Sequence, residues 1–156
     1  MQSEIDRWKA RQARAWLGEV RAAGLRERAA RDRLLEARAR ADGVKAARFE
    51  RGVQRPTDDA MADAVSRVDA AKADYCAALA EAVEMEREAH DALFSVDDMA
   101  AMMLVRYYLL CAPSWDDVAK AEGYSRNGVH TAVNRVLASV FDRMPHRHRD
   151  PLPSAL

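Results

Sequence analysis

An all-α fold is predicted for this 156-residue chain: a long antiparallel coiled-coil helical hairpin followed by a C-terminal helix-turn-helix. Three observations predict it. Alanine and arginine abound while glycine, proline and β-branched residues are scarce between Gln2 and Leu110, which favours helix, and no strand-like alternation competes. Apolar residues recur at alternating spacings of three and four through two long stretches. Near the C terminus, Ala119, Gly123 and Val129 stand at offsets of four and six, the spacing two short helices need to cross closely at a glycine turn. The expected organisation is a helical hairpin and oligomerisation element over 1–94, a helix-turn-helix domain over 95–145, and a flexible tail over 146–156.

The first helix is expected from about Ser3 to Arg51. Trp16, Val20, Ala23, Leu34, Ala37, Ala41 and Val44 keep one phase, with Glu27 and Ala30 completing it. Gly18, Gly24 and Gly43 each cost about 1 kcal/mol relative to alanine in a helix interior, so a bend or break is expected at one of them. Gly52 to Pro56 forms the turn, because proline excludes Arg55 from comfortable helical geometry.

A second helix follows from Thr57, as cap, to Phe94, with Asp58 and Asp59 complementing its dipole. Met61, Val65, Val68, Lys72, Tyr75, Leu79, Ala82, Glu86, Ala89 and Leu93 mark its inner stripe, and Ala64, Ala71, Ala78 and Met85 widen the seam. Such a helix is about 55 Å long at about 1.5 Å per residue and cannot stand alone with that face wet. Alanine-rich seams bury little area per residue, so a second copy of the chain is expected to cover Trp8, Trp16 and Phe49. A homo-oligomer, in the simplest case a dimer, is the expected state.

Ser95 with Asp98 reads as a capping box for a support helix carrying Met99, Met102, Met103, Arg106, Leu109 and Leu110, its methionines filling the core. Ser114 with Asp117 makes another box, and Pro113 with Val118 sits where a hydrophobic staple would. Gly123 can take positive φ and end the first short helix, Tyr124 can plug the corner, and Ser125 can cap the second. Val129 and Val133 turn inward. Arg126, Asn127, His130, Thr131 and Asn134 are left on the opposite face. Arginine can pair with guanine and asparagine with adenine, threonine can touch a thymine methyl or a phosphate, and a helix amino terminus attracts phosphate. A helical hairpin with an ordinary solvated face has the same pattern. Val136, Leu137, Val140 and Phe141 extend the last helix until Pro145 stops it.

Charge is balanced overall, with 25 Lys and Arg against 25 Asp and Glu, but strongly segregated. Residues 1–55 hold 15 basic against 8 acidic groups, residues 56–100 hold 3 against 12, and residues 101–156 hold 7 against 5. The simplest reading is two antiparallel helices of opposite charge that screen one another, each exposed pair contributing about 0–1 kcal/mol. Alternatively the basic arm, including Arg26, Arg28, Arg31, Arg33, Arg38 and Arg40, meets phosphates or RNA polymerase. No apolar run approaches the roughly 20 residues that span a bilayer, and the charged amino terminus is not a signal peptide, so a cytoplasmic protein is expected. Cys76 and Cys111 lack Cys-x-x-Cys spacing and suit reduced, partly buried thiols. His146 and His148 have no third ligand, so no metal site is expected. No Ser/His/Asp, Cys/His, paired-carboxylate or phosphate-loop arrangement is discernible, so neither an enzyme nor a cofactor is expected.

The series Leu104, Val105, Arg106, Tyr107 and Tyr108, then Pro113 to Ala119, then Gly123, Tyr124 and Ser125 resembles the region of bacterial sigma factors that binds the promoter −35 element. With a long helical amino-terminal half ahead of it, the pattern resembles small phage regulators of the ArpU and RinA late-transcription-activator type. The likeness covers roughly a third of the chain. It implies a phage or prophage transcriptional regulator whose helix from Ser125 enters the major groove, with Ser125, Arg126, Asn127, His130, Thr131, Asn134 and Arg135 at the DNA. RNA polymerase is a further candidate partner. Two residues depart from the pattern: Glu122 stands where leucine is usual and must reach solvent or pair with a base, and Gly128 weakens the first turn of the reading helix by about 1 kcal/mol. The rival classes are a DNA-packaging component resembling a small terminase subunit and a protein-interaction module built on the acidic helix.

Overall fold

The structure is a computed structural model that describes residues 3–50 and 58–154. All secondary structure among the described residues is helical: α1 (Glu4–Glu50), α2 (Asp58–Leu93), α3 (Asp98–Leu104) running into a wide π-turn (Val105–Leu109), α4 (Trp115–Glu122), α5 (Arg126–Phe141) and a short 3-10 turn (His146–His148). No helix among these residues is long and apolar enough to cross a membrane. The expected turn at Gly52 to Pro56, the Thr57 cap and the side chain of Phe49 lie outside the described residues.

Helix α1 opens with a reciprocal cap that the sequence reading missed. Ser3 Oγ accepts from the Asp6 amide at 3.0 Å, and the Asp6 carboxylate accepts from the Ser3 amide at 3.3 Å. The helix then runs unbroken through Gly18, Gly24 and Gly43, so none of the three is a break. Gly24 has a packing reason instead: a Cβ there would lie 3.2 Å from the sulfur of Cys111, whereas at Gly18 and Gly43 it would meet nothing within 4 Å.

The chain divides into two compact units, one comprising residues through Gly24 together with those from Ala82 onward, the other Leu25–Glu81. The expected boundary at residue 94 is therefore not where the contacts separate. In the second unit the segments of α1 and α2 run in opposite directions. Arg26 bonds Glu81 at 3.0 Å, while Arg33 to Val44 and Ala60 to Arg67 line one cleft. The α1 side of the seam follows the expected phase, with Ala30 and Leu34 buried and Ala37, Ala41 and Val44 half-buried. On α2 the expected stripe is kept in part, with Ala64, Ala71 and Ala78 taking the place of Val65, Lys72 and Leu79. Met61, Ala64, Val68, Ala71, Tyr75 and Ala78 are the half-buried residues, while Val65, Lys72 and Leu79 are exposed. Small alanines between Met61, Val68 and Tyr75 let the backbones approach, which leaves Val65, Lys72 and Leu79 on the flank.

One core holds the first unit together. Trp8, Ala13, Trp16, Leu17 and Val20 of α1 join Ala89, Ala92 and Leu93 of α2, Met103, Leu104 and Tyr108, Val118, and the inner face of α5. Trp8 meets Phe141 edge-on at 5.2 Å, and Trp16 stacks on His148 at 6.2 Å. The two tryptophans assigned to a second copy are thus covered within the chain. The same contacts correct the expected loose tail, at least as far as Asp150. Arg149 donates to the carbonyls of Met144 and Asp142, Arg147 pairs with Glu88, and Gln12 donates to Asp150 at 2.8 Å. Helix α5 ends at Phe141, and the segment after Pro145 carries donors that its neighbours can satisfy.

Two further corrections concern the support helix. Its cap is Asp97, which accepts from the Met99 amide at 3.3 Å, and not Ser95. Val96 N donates to Leu93 O and prolongs the end of α2, which displaces the start of α3 by two residues. Of the methionines expected as core filler, Met103 is fully buried, whereas Met99 and Met102 are about half exposed, as is Leu110. Beyond Leu104 the helix widens: Leu110 N donates to Val105 O and Ala112 N to Arg106 O. Cys111 ends it at φ 55°, a left-handed conformation that points its buried thiol at α1. Cys76, by contrast, is exposed.

Candidate nucleic-acid interface

Every step from Ser114 to Ser125 has a local cause. Ser114 Oγ accepts from the Asp117 amide at 3.2 Å and donates its proton to the Asp117 carboxylate at 2.7 Å, so that carboxylate engages the hydroxyl rather than reaching back to the backbone. Val118 is fully buried while Pro113 stays exposed, which makes the core, not a staple, the anchor of this turn. Gly123 adopts φ 73° and ψ 29° as expected, and the Ala119 carbonyl accepts from the amides of Gly123 and Tyr124. Ser125 caps α5 by accepting from the Gly128 amide at 3.1 Å.

Tyr124 is not a plug. It remains 39% exposed and lies over Gly128, where a Cβ would come within 3.4 Å of the ring and 3.2 Å of Ser125 Oγ. Gly128 thus accommodates its own cap and the tyrosine. Glu122 is resolved by a base: it pairs with Arg106, the carboxylate side chain only 15% exposed and the guanidinium 38%.

On α5, Val129, Val133, Val136 and Val140 form a buried spine. Spaced at about 100° per residue, Arg126, His130, Asn134, Asn127, Thr131 and Arg135 form one continuous arc on the other side. All are exposed except His130, which is half-buried. The arc has two flanks. Asn127, Thr131 and Arg135 share a groove with Tyr124, Asp97 and Met99. His130 and Asn134 share another with Arg14, Arg21, Tyr107, Tyr108 and Trp115.

Several groups on the arc already have partners. Arg126 lies 3.6 Å from Asp116, an exposed ion pair that contributes about 0–1 kcal/mol and is easily exchanged. Thr131 donates its hydroxyl proton to Asn127 O at 2.9 Å. The Asn134 amide oxygen accepts from Arg14 at 2.5 Å, and the His130 ring tilts against Trp115 at 6.1 Å. Burial pushes the Tyr108 hydroxyl above its ordinary range, with Arg14 opposing the shift.

The sequence reading did not place Arg14, Arg21, Tyr107 or Trp115 beside the arc. Tyr107 stacks on Trp115 at 4.1 Å while the Arg21 guanidinium covers its other face at 4.2 Å and donates to its carbonyl at 2.6 Å. A signal was available in the three-and-four spacing of arginines along the start of α1, but it lies far in sequence from the residues it accompanies. Comparison with protein-family models, curated proteins and solved structures finds no match.

Proposed function

We propose that this chain is a sequence-specific DNA-binding transcriptional regulator, phage or prophage encoded, that reads the major groove with the helix starting at Ser125. One observation carries the reading. A short helix ends at a left-handed glycine, a serine caps the next helix, and that helix turns an aliphatic spine inward and an unbroken arc of Arg, Asn, His, Thr, Asn and Arg outward. Such an arc holds the donors and acceptors that distinguish base edges, and Arg126 and Asn127 occupy the first turn, where recognition helices make base contacts. Read this way, α4 and α5 are a sigma-region-4-like helix-turn-helix, and α1 with α2 forms a coiled-coil hairpin that carries it.

The decisive experiment is selection of bound duplexes from a random pool by the purified chain. An enriched motif, lost in Arg126→Ala/Asn127→Ala while the circular dichroism is unchanged, is the expected result. Retention of the same motif by that variant overturns the assignment of α5. The exposed Leu35, Val65 and Leu79 of the second unit favour self-association, which the packaging reading shares. Light scattering separates the two: a dimer is expected of the regulator, and a ring of many subunits favours packaging.

A further inference from the structure

We propose that a row of arginines on the start of α1, Arg7, Arg11, Arg14 and Arg21, grips the phosphate backbone of the duplex whose bases α5 reads. The inference rests on the DNA-reading assignment of α5 and adds a second contact surface to it.

Residues 7, 11, 14, 18 and 21 alternate spacings of four and three, so they lie along one stripe of the helix. Arg7, Arg11 and Arg14 are exposed and Arg21 is half-buried. Of the other exposed arginines on α1, Arg40 pairs with Glu36 at 3.0 Å and Arg26 with Glu81 at 3.0 Å. Arg7 and Arg11 have no ion-pair partner among the described residues, and each like-charged pair four apart costs a helix about 0.2–0.5 kcal/mol. Glu4 stands at the amino-terminal end of the stripe and Glu19 off its flank, so the row itself holds no acid. Ion pairing within the chain therefore does not account for Arg7 and Arg11.

Position explains what ion pairing does not. Arg14 donates to Asn134, which fixes the stripe against the edge of the α5 arc, and Arg21 closes the same groove over Tyr107. Gly18 falls between these two arginines and lines that groove, and a Cβ there would meet nothing within 4 Å. A glycine with open space around it in mid-helix leaves room for a group that comes close to the backbone. The groove holds about 490 Å³ between arginine, tyrosine, tryptophan, histidine and asparagine side chains. Planar guanidinium groups match phosphate oxygens with paired donors. The α3–α5 region is neutral, with 4 basic against 4 acidic groups over 98–141, so α1 supplies the charge that backbone binding requires.

The test compares the full chain with Arg7→Gln/Arg11→Gln on two duplexes, the selected site and a mixed sequence, across a salt series. Both side chains are exposed, and circular dichroism checks that the fold is kept. The variant is expected to weaken both duplexes about equally, by tenfold or more at low salt, and to flatten the log affinity against log salt slope by about two. Its preference for the selected site should persist. In Arg126→Ala/Asn127→Ala the preference should collapse while the slope is largely kept. Unchanged affinity and slope in Arg7→Gln/Arg11→Gln overturn the arginine row and leave the α5 reading standing. A wild-type chain that binds every duplex alike, with a slope that flattens in the arginine variant, supports the row and removes the base-reading assignment. A wild-type chain that binds neither duplex overturns both.

Discussion

Arg106, on the wide turn after α3, and Glu122, on the last residue of α4, form an ion pair that ties the two elements together just ahead of Gly123. Glu122 is the better buried partner, which makes the effects of removing each side unequal. Arg106→Ala leaves a carboxylate that is only 15% exposed without its base and should lower stability by about 1–3 kcal/mol. Glu122→Leu leaves an arginine that can swing to solvent and should cost less than about 1 kcal/mol. Urea unfolding of the two variants measures the difference, and equal midpoints refute it.

Gly24 and Cys111 form a second such relationship. Their atoms compete for one volume, since a Cβ on Gly24 would sit 3.2 Å from the sulfur. Gly24→Leu introduces a good helix former, yet it should lower stability by about 1–3 kcal/mol through overpacking. Removing the sulfur with Cys111→Ala should return part of that loss. A double-mutant cycle with a coupling energy near zero would show that the two sites are independent.

How far the sequence foretold this arrangement depends on whether a feature is local. Caps and turns are set by neighbours within four residues, so Ser114, Gly123 and Ser125 were legible from type and spacing alone. Helix phase was legible on α1, where Trp16, Leu34 and Val44 keep one ridge, and in part on α2, where Met61, Val68 and Tyr75 of the expected stripe are half-buried but Val65, Lys72 and Leu79 are exposed. At the remaining positions Ala64, Ala71 and Ala78 take the contact, because a small side chain lets the partner helix approach. Contacts across long sequence separations left no trace to read. Trp16 is covered by His148, and Asn134 meets Arg14, through packing that periodicity cannot encode. The π-turn that places Arg106 beside Glu122 is likewise absent from a pattern based on 3.6 residues per turn.

The buried Tyr108 predicts an alkaline weakness. Burial raises its pKa in the folded chain above the ordinary value of 10.0, and Arg14 only partly offsets this. Because the folded value is the higher one, the stabilisation is fully present below about pH 10 and is lost as pH rises through the folded value. Tyr108→Phe cannot ionise. Its unfolding midpoint should therefore fall less than that of the wild type as pH rises above about 10. Parallel falls in both proteins would assign the alkaline loss to other groups.

Deleting residues 146–156 separates a pinned tail from a loose one. The deletion removes His148 from Trp16, Arg147 from Glu88, Asp150 from Gln12, and Arg149 from the carbonyls of Met144 and Asp142. Trp16 is 4% exposed and the Glu88 side chain 12%, so losing the cover wets an indole and strands a shielded carboxylate. A loss of about 2–3 kcal/mol follows from exposing the aromatic surface and leaving the carboxylate unpaired. Tryptophan fluorescence should shift to the red in the native state as Trp16 meets water, while α5, whose valine spine does not depend on the tail, should keep its helicity. A truncated chain with the wild-type midpoint and emission maximum would mean that the tail is not held against α1, and that Trp16 is shielded by something other than His148.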